Sequence, residues 1–187
     1  MSRQRARVPP RRRFFIGCEG ASEHGYGALL QRLADESGLH LHLDLQDLSG
    51  GDPFAIVEAA CRKVKERAKR HGPFDGRAVL VDADRLCQSP HRDVRISPLA
   101  NGEGLSVIWQ RPCHEVLLLH HLRDCQMLMP HDRASATAAL VRRWPEYRKP
   151  MSANQLSARI SLADVRAAAG VEAELRALLS LLGFPFV

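Results

Sequence analysis

A chain of 187 residues with 45% hydrophobic and 26% charged residues has globular usage, which excludes a disordered or fibrous polymer and allows one domain with a small appendage. Its longest uninterrupted aliphatic run, residues 116–119, is far short of a membrane span. The formal charge of +6 is concentrated: Arg3, Arg5, Arg7, Arg11, Arg12 and Arg13 precede the first acid, Glu19, and setting them aside leaves 21 basic against 21 acidic residues. The body is therefore neutral, unlike a domain that coats phosphates with a broad basic face.

In chain order, residues 1–12 read as a Pro-interrupted basic arm with no apolar stretch for a secretory signal. A solvated arm, a nucleic-acid or partner contact and a targeting segment are the three readings it allows. Residues 13–18 (RFFIGC) form a short apolar run that suits a buried strand, ended by Glu19-Gly20. A helix follows over about residues 23–37, with Leu29, Leu30 and Leu33 on one face and Gly38 as its stop. Residues 39–48 alternate strictly, the period of a half-buried strand, with His40, His42 and Asp44 on its polar side. Asp52 and Pro53 supply the N-cap and first position of a helix running to about His71, whose outer face carries Lys63, Lys65, Arg67, Lys69 and Arg70.

Residues 77–81 (RAVLV) are a third strand ending in Asp82-Ala83-Asp84, followed by a polar loop with room for a short helix near Arg92. Residues 105–109 are a fourth strand, and Pro112 opens a helix through Leu122. Beyond Met129 the pattern weakens to short helices over about residues 134–143, 154–160, 162–169 and 172–182. This order of elements, with strands as continuous apolar runs, predicts an α/β fold: a parallel sheet of about four strands flanked by helices, with a C-terminal helical cap. The expected organisation is a basic arm (1–12), an α/β domain (13–129) and a helical extension packed on it (130–187).

In such sheets functional residues gather past the carboxyl ends of the strands. Glu19 follows the first strand, Asp82 and Asp84 end the third, and Glu115 falls early in the helix after the fourth. Asp82 and Asp84 are two apart, so extended backbone directs both carboxylates to one face, and hard oxygen donors suit Mg²⁺ or Mn²⁺. Each acid also has a purely structural reading. One aspartate of the pair caps the following turn, Glu19 caps the next helix, and Glu115 answers a helix dipole. His114, His120 and His121 beside Cys113 and Cys125 lack recognised zinc spacing. The five cysteines, an odd number without CxxC spacing, read as reduced thiols of a cytoplasmic protein. No GxSxG, P-loop or dinucleotide fingerprint is present.

The string FIGCEGASEHGY at residues 15–26 resembles the opening CEG-x-x-E-x-x-Y segment of the RloB-like proteins, a branch of the Toprim superfamily. Asp82-Ala83-Asp84 resembles the Toprim DxD, residues 110–121 (QRPCHEVLLLHH) are similar to the family's NPCFE-x-WLLLH block, and Tyr147-Arg148-Lys149 resembles the Y-x-K that follows it. The matches run in order over residues 13–150. The resemblance implies a Toprim-like fold binding Mg²⁺ (or Mn²⁺), with Glu19 in the place of the Toprim glutamate and Asp82 and Asp84 as the metal-binding pair. It also implies a ligand role for Glu115 and phosphate or substrate contact by Lys149, with Arg85 a further candidate.

RloB-like proteins are associated with restriction or phage-defence loci, often beside an ATPase. The expected activity is therefore metal-dependent phosphodiester hydrolysis on DNA or RNA, with no membrane partner. The alternatives are a non-catalytic regulatory or scaffolding subunit of an ATPase-containing complex, or another phosphotransfer reaction on the same scaffold. Deleting residues 1–12 is expected to weaken nucleic-acid binding and flatten its salt dependence while fold and metal binding persist. Unchanged DNA and RNA binding by the truncated protein in a salt titration would leave the arm with a solvated role.

Overall fold

In the computed structural model, which describes residues 10–185, four parallel strands form one sheet in the order β2-β1-β3-β4. The strands are β1 (Arg12–Cys18), β2 (Leu41–Asp47), β3 (Gly76–Asp82) and β4 (Ser106–Gln110). Helices α1 (Ala21–Glu36) and α2 (Pro53–His71) cross over between the first three. Two short helices, α3 (Pro90–Asp93) and α4 (Ile96–Gly102), fill the loop before β4, where one was expected. The chain continues through α5 (His114–His120), α6 (Arg133–Arg143), α7 (Ala153–Ser157), α8 (Leu162–Val171) and α9 (Ala173–Leu182). This is the parallel α/β architecture with a C-terminal helical cap that the apolar runs predict.

Both faces of the sheet are covered, which explains why β1 and β3 are apolar without alternation. On one face Phe14, Ile16, Cys18 and Leu80 pack with α1, α5 and the cap, through residues such as Leu29, Leu118, Leu140 and Leu179. On the other, Phe15, Val79 and Val81 pack with α2 and α4 through Phe54, Val57, Val64 and Ile96. The α/β body and the C-terminal extension thus share one hydrophobic core. At the start of α2, Asp52 accepts a hydrogen bond from the Ala55 N–H at 3.1 Å and Pro53 takes the first turn, as its sequence dictates.

The basic start of the chain is partly consumed by the fold. Arg12 is already the first residue of β1, and its guanidinium donates to the Leu182 carbonyl at 3.3 Å. Arg11 pairs with Asp35 at 3.2 Å. Arg13 Nη2 and Arg67 Nε donate to the buried Asp44 Oδ2 at 2.9 and 3.0 Å. Burial pushes the Asp44 carboxyl up, but the two guanidinium groups hold it below its ordinary pKa. Arg11, Arg12 and Arg13 therefore belong to the folded body, while Arg3, Arg5 and Arg7 lie outside the described residues. The arm truncation that spares these contacts is removal of residues 1–9.

One close approach ties the cap to the sheet. A Cβ on Gly25, within α1, would collide with the backbone carbonyl of Met151. Only glycine lets the 147–151 segment lie against α1, and that segment carries Tyr147 and Lys149. Gly25→Ala is expected to destabilise the protein by about 1–3 kcal/mol in urea unfolding, despite the better helix propensity of alanine. Gly170→Ala, where a Cβ meets open space, is the control and is expected to be neutral or slightly stabilising. Equal effects of the two substitutions would refute the close-packing account.

Candidate active site at the switch point of the sheet

The chain leaves β1 to build β2 on one side and returns to build β3 on the other. The carboxyl ends of β1 and β3 therefore flank the topological switch point, where connections diverge and leave a crevice. Glu19 is the first residue past β1 and Asp82 the last of β3, and the Asp82 N–H donates to Glu19 Oε2 at 3.1 Å. Beyond β3 the backbone is tied to the next strand's exit, since the Ala83 N–H donates to the carbonyls of Gln110 and Pro112 at 2.9 and 3.1 Å. This bonding holds Pro112 outside α5, which begins two residues later than expected, at His114 with Cys113 as its N-cap. The His114 N–H then donates to Asp82 Oδ1 at 2.8 Å.

The second oxygen of Asp82 faces a cation from the cap. Arg133, the first residue of α6, places Nη2 2.7 Å from both Asp82 Oδ2 and Asp84 Oδ2, and its Nε donates to Asp84 Oδ2 at 2.9 Å. Its Nη1 lies 3.9 Å from Glu115 Oε2. Glu115 is 2% exposed, and that Oε2 has no hydrogen-bond partner. Its other oxygen accepts from Lys149 Nζ at 2.7 Å and from the Tyr147 hydroxyl at 3.4 Å. Beside these groups opens a cavity of about 270 Å³ lined by Glu19, Glu23, Gly50, Asp82, Arg133 and Lys149.

Negative charge dominates in and around the crevice: Glu19, Glu23 and Asp82 line it with Arg133 and Lys149, and Asp84 and Glu115 pair with those two cations from behind. Burial, reinforced by Glu23 and Glu19, pushes the Asp82 carboxyl up to about 7. Burial likewise raises Glu19 and Glu23 above the usual carboxylate range. Glu115 goes the other way. Burial opposes its charge, but the hydrogen bond and charge of Lys149 hold it at about 2. Burial also disfavours the Arg133 cation, yet Asp84 and Asp82 hold its proton more firmly than in free arginine. His114, fully enclosed, drops to about 4 through burial.

The acids singled out in the sequence thus come together, though not as one ring. Glu19 and Asp82 line the crevice, and Asp84 and Glu115 join them through Arg133. Lys149 lines the cavity while engaged with Glu115. Arg85 does not reach it: its Nη1 donates to the Gly51 carbonyl at 3.1 Å and the side chain is exposed. The capping alternative for Glu19 is also replaced. Gly20 is the N-cap of α1, and its N–H donates to Glu23 Oε2 at 3.0 Å. His120 pairs with Glu172 at 2.6 Å, whereas His121 Nε2 lies 3.0 Å from the Tyr26 hydroxyl, so the two adjacent histidines diverge.

Sequence reasoning missed Arg133 and Glu23. A signal for Arg133 existed: an arginine directly after the N-cap Asp132 sits where the helix dipole disfavours positive charge, so it needs an acidic partner elsewhere. The spacing Gly20-x-x-Glu23 marks Glu23 as the partner of a helix start. Among the described residues, no three His, Cys, Asp or Glu side chains are gathered so as to hold a metal ion as they stand. No protein-family model matches the chain, and neither does a curated protein nor a solved structure.

Because the folded state releases the Glu115 proton more readily than the unfolded chain, the Glu115–Lys149 pair stabilises fully above its ordinary value of 4.5. That contribution fades as the pH falls towards about 2. Lys149→Met is expected to cost about 1–2 kcal/mol at pH 7, a buried-pair penalty discounted for the half-exposed lysine. In urea unfolding at pH 7, 4.5 and 3, the wild-type advantage should shrink below pH 4.5. A gap constant with pH would show that the pair acts by packing rather than by charge.

Proposed function

We propose that the protein is a metal-dependent phosphodiesterase, a Toprim-type nuclease of the RloB-like kind acting on DNA or RNA in a cytoplasmic restriction or phage-defence setting. The observation that carries this reading is the excess of carboxylates at the switch point, with a buried Glu115 Oε2 that has no hydrogen-bond partner. The donor chemistry fits a small hard cation. Glu19, Asp82 and Asp84 offer carboxylate oxygens, and the guanidinium of Arg133 already stands between two of them as a surrogate positive charge.

Glu19, Asp82 and Asp84 are the residues that would hold Mg²⁺ or Mn²⁺. When bound, such an ion stabilises charge on a phosphoryl group and lowers the pKa of water. The chain's own groups do the rest. Glu19 is fixed through Oε2 by the Asp82 N–H, which leaves Oε1 to accept a proton from the attacking water, and its raised pKa suits it to general acid–base work. Lys149, on the cavity wall, supplies a positive charge for a phosphate oxygen. Glu115 fixes the position of that ammonium group. Burial of Asp82 limits the screening of its own charge by water.

A second reading, a non-catalytic regulatory or scaffolding subunit beside an ATPase, is favoured by one observation. Arg133 bridges Asp82 and Asp84 without any added ion. The test is cleavage of a mixed DNA and RNA panel with Mg²⁺ or Mn²⁺, comparing wild type with Glu19→Gln and Asp84→Asn. Each substitution is expected to lower the rate at least 100-fold while leaving the thermal unfolding transition intact. Cleavage untouched by both substitutions would overturn the mechanism, and no divalent binding at millimolar concentration would favour the scaffold.

No helix among the described residues is long and apolar enough to cross a membrane. The five cysteines are free thiols, in keeping with the cytoplasmic setting of this proposal.

A further inference from the structure

We propose that Arg133 is a built-in counter-ion that competes with a divalent cation for Asp82 and Asp84, so that the site is loaded only when this side chain leaves. The inference rests on the metal-site reading above and adds a gate to it. Three observations support it. First, Arg133 occupies one oxygen of each aspartate, Asp82 Oδ2 and Asp84 Oδ2, while the His114 N–H takes Asp82 Oδ1. A divalent ion bonded to the same oxygens at roughly 2.1 Å would bring two more positive charges against the guanidinium.

Second, the arginine is held chiefly by these acids. Its side chain is 41% exposed, and it springs from the first residue of α6, where the helix dipole repels a cation. Water can receive it once the carboxylates are otherwise neutralised. Third, the charge it supplies is insufficient. One guanidinium faces two aspartates, and Glu115 Oε2 stays 3.9 Å from Nη1 without a hydrogen bond. Once released, it stands on the wall of the same cavity as Lys149, a planar fork suited to two phosphate oxygens. Loading of the cation and capture of a phosphodiester are thereby coupled through one side chain.

The test is Mn²⁺ binding to the full chain by titration calorimetry and electron paramagnetic resonance, with thermal unfolding measured with and without Mn²⁺. Arg133→Gln, which removes the competing charge, is expected to bind Mn²⁺ at least tenfold more tightly than wild type. It should also melt lower without metal and show the larger upward shift on saturation. Arg133→Lys, which keeps the charge but loses the fork, is expected to fall between them, and it carries the test alone should the glutamine variant fail to fold. The gain should vanish when Asp84→Asn is added.

Affinity in Arg133→Gln equal to or weaker than wild type would overturn the counter-ion proposal while leaving the metal site standing. So would a gain that survives Asp84→Asn. Absence of Mn²⁺ binding in every variant would overturn the metal-site reading and the gate together.

Discussion

Burying Asp82 at 4% exposure next to Glu19 and Glu23 concentrates negative charge where water cannot screen it, and the surrounding structure compensates for that charge. Two backbone N–H groups take part, one from His114 to Asp82 and one from Asp82 itself to Glu19. Arg133 supplies the formal positive charge from a distant part of the chain. These bonds also explain the local geometry. They pin the exit of β3 to the start of α5 and bring α6 against the carboxyl edge of the sheet. A crevice assembled this way is costly for a purely structural purpose, because well-packed apolar residues would serve stability as well or better.

The C-terminal extension is consequently part of the site and not an ornament on it. It contributes Arg133, Tyr147 and Lys149, and it is seated by the contact between Gly25 and Met151. The shared core through Leu140, Trp144, Leu156 and Leu179 fixes its orientation on the sheet. Two electrostatic regimes result within one crevice. Glu115, paired with Lys149, is held ionised, whereas burial pushes Asp82 up to about 7 and raises Glu19 above its ordinary value. Environments that separate the pKa values of neighbouring acids are a recurring mark of acid–base sites.

Much of this was legible along the chain. The apolar runs of β1 and β3 announce a sheet covered on both faces, Asp52-Pro53 marks the start of α2, and pattern alone puts Glu19, Asp82 and Asp84 at strand ends. The errors were local. Pro112 looked like a helix start because its sequence signal carries no information on the competing bond from the Ala83 N–H. Arg11 and Arg12 look like part of a tail because their partners, Asp35 and the Leu182 carbonyl, are distant in sequence. Arg85, adjacent to the DxD, looked well placed, yet the turn after β3 directs it to Gly51.

By itself the sequence determined the class of fold and which strand ends would carry acids, because hydrophobic periodicity and turn chemistry act between near neighbours. Only the tertiary structure decided how those acids are neutralised. The partner of Asp82 and Asp84 lies about fifty residues away at Arg133, and that of Glu115 lies at Lys149 beyond another helix. Coulomb energy depends on distance in space and on the depth of burial, neither of which is written in the spacing of residues along a chain.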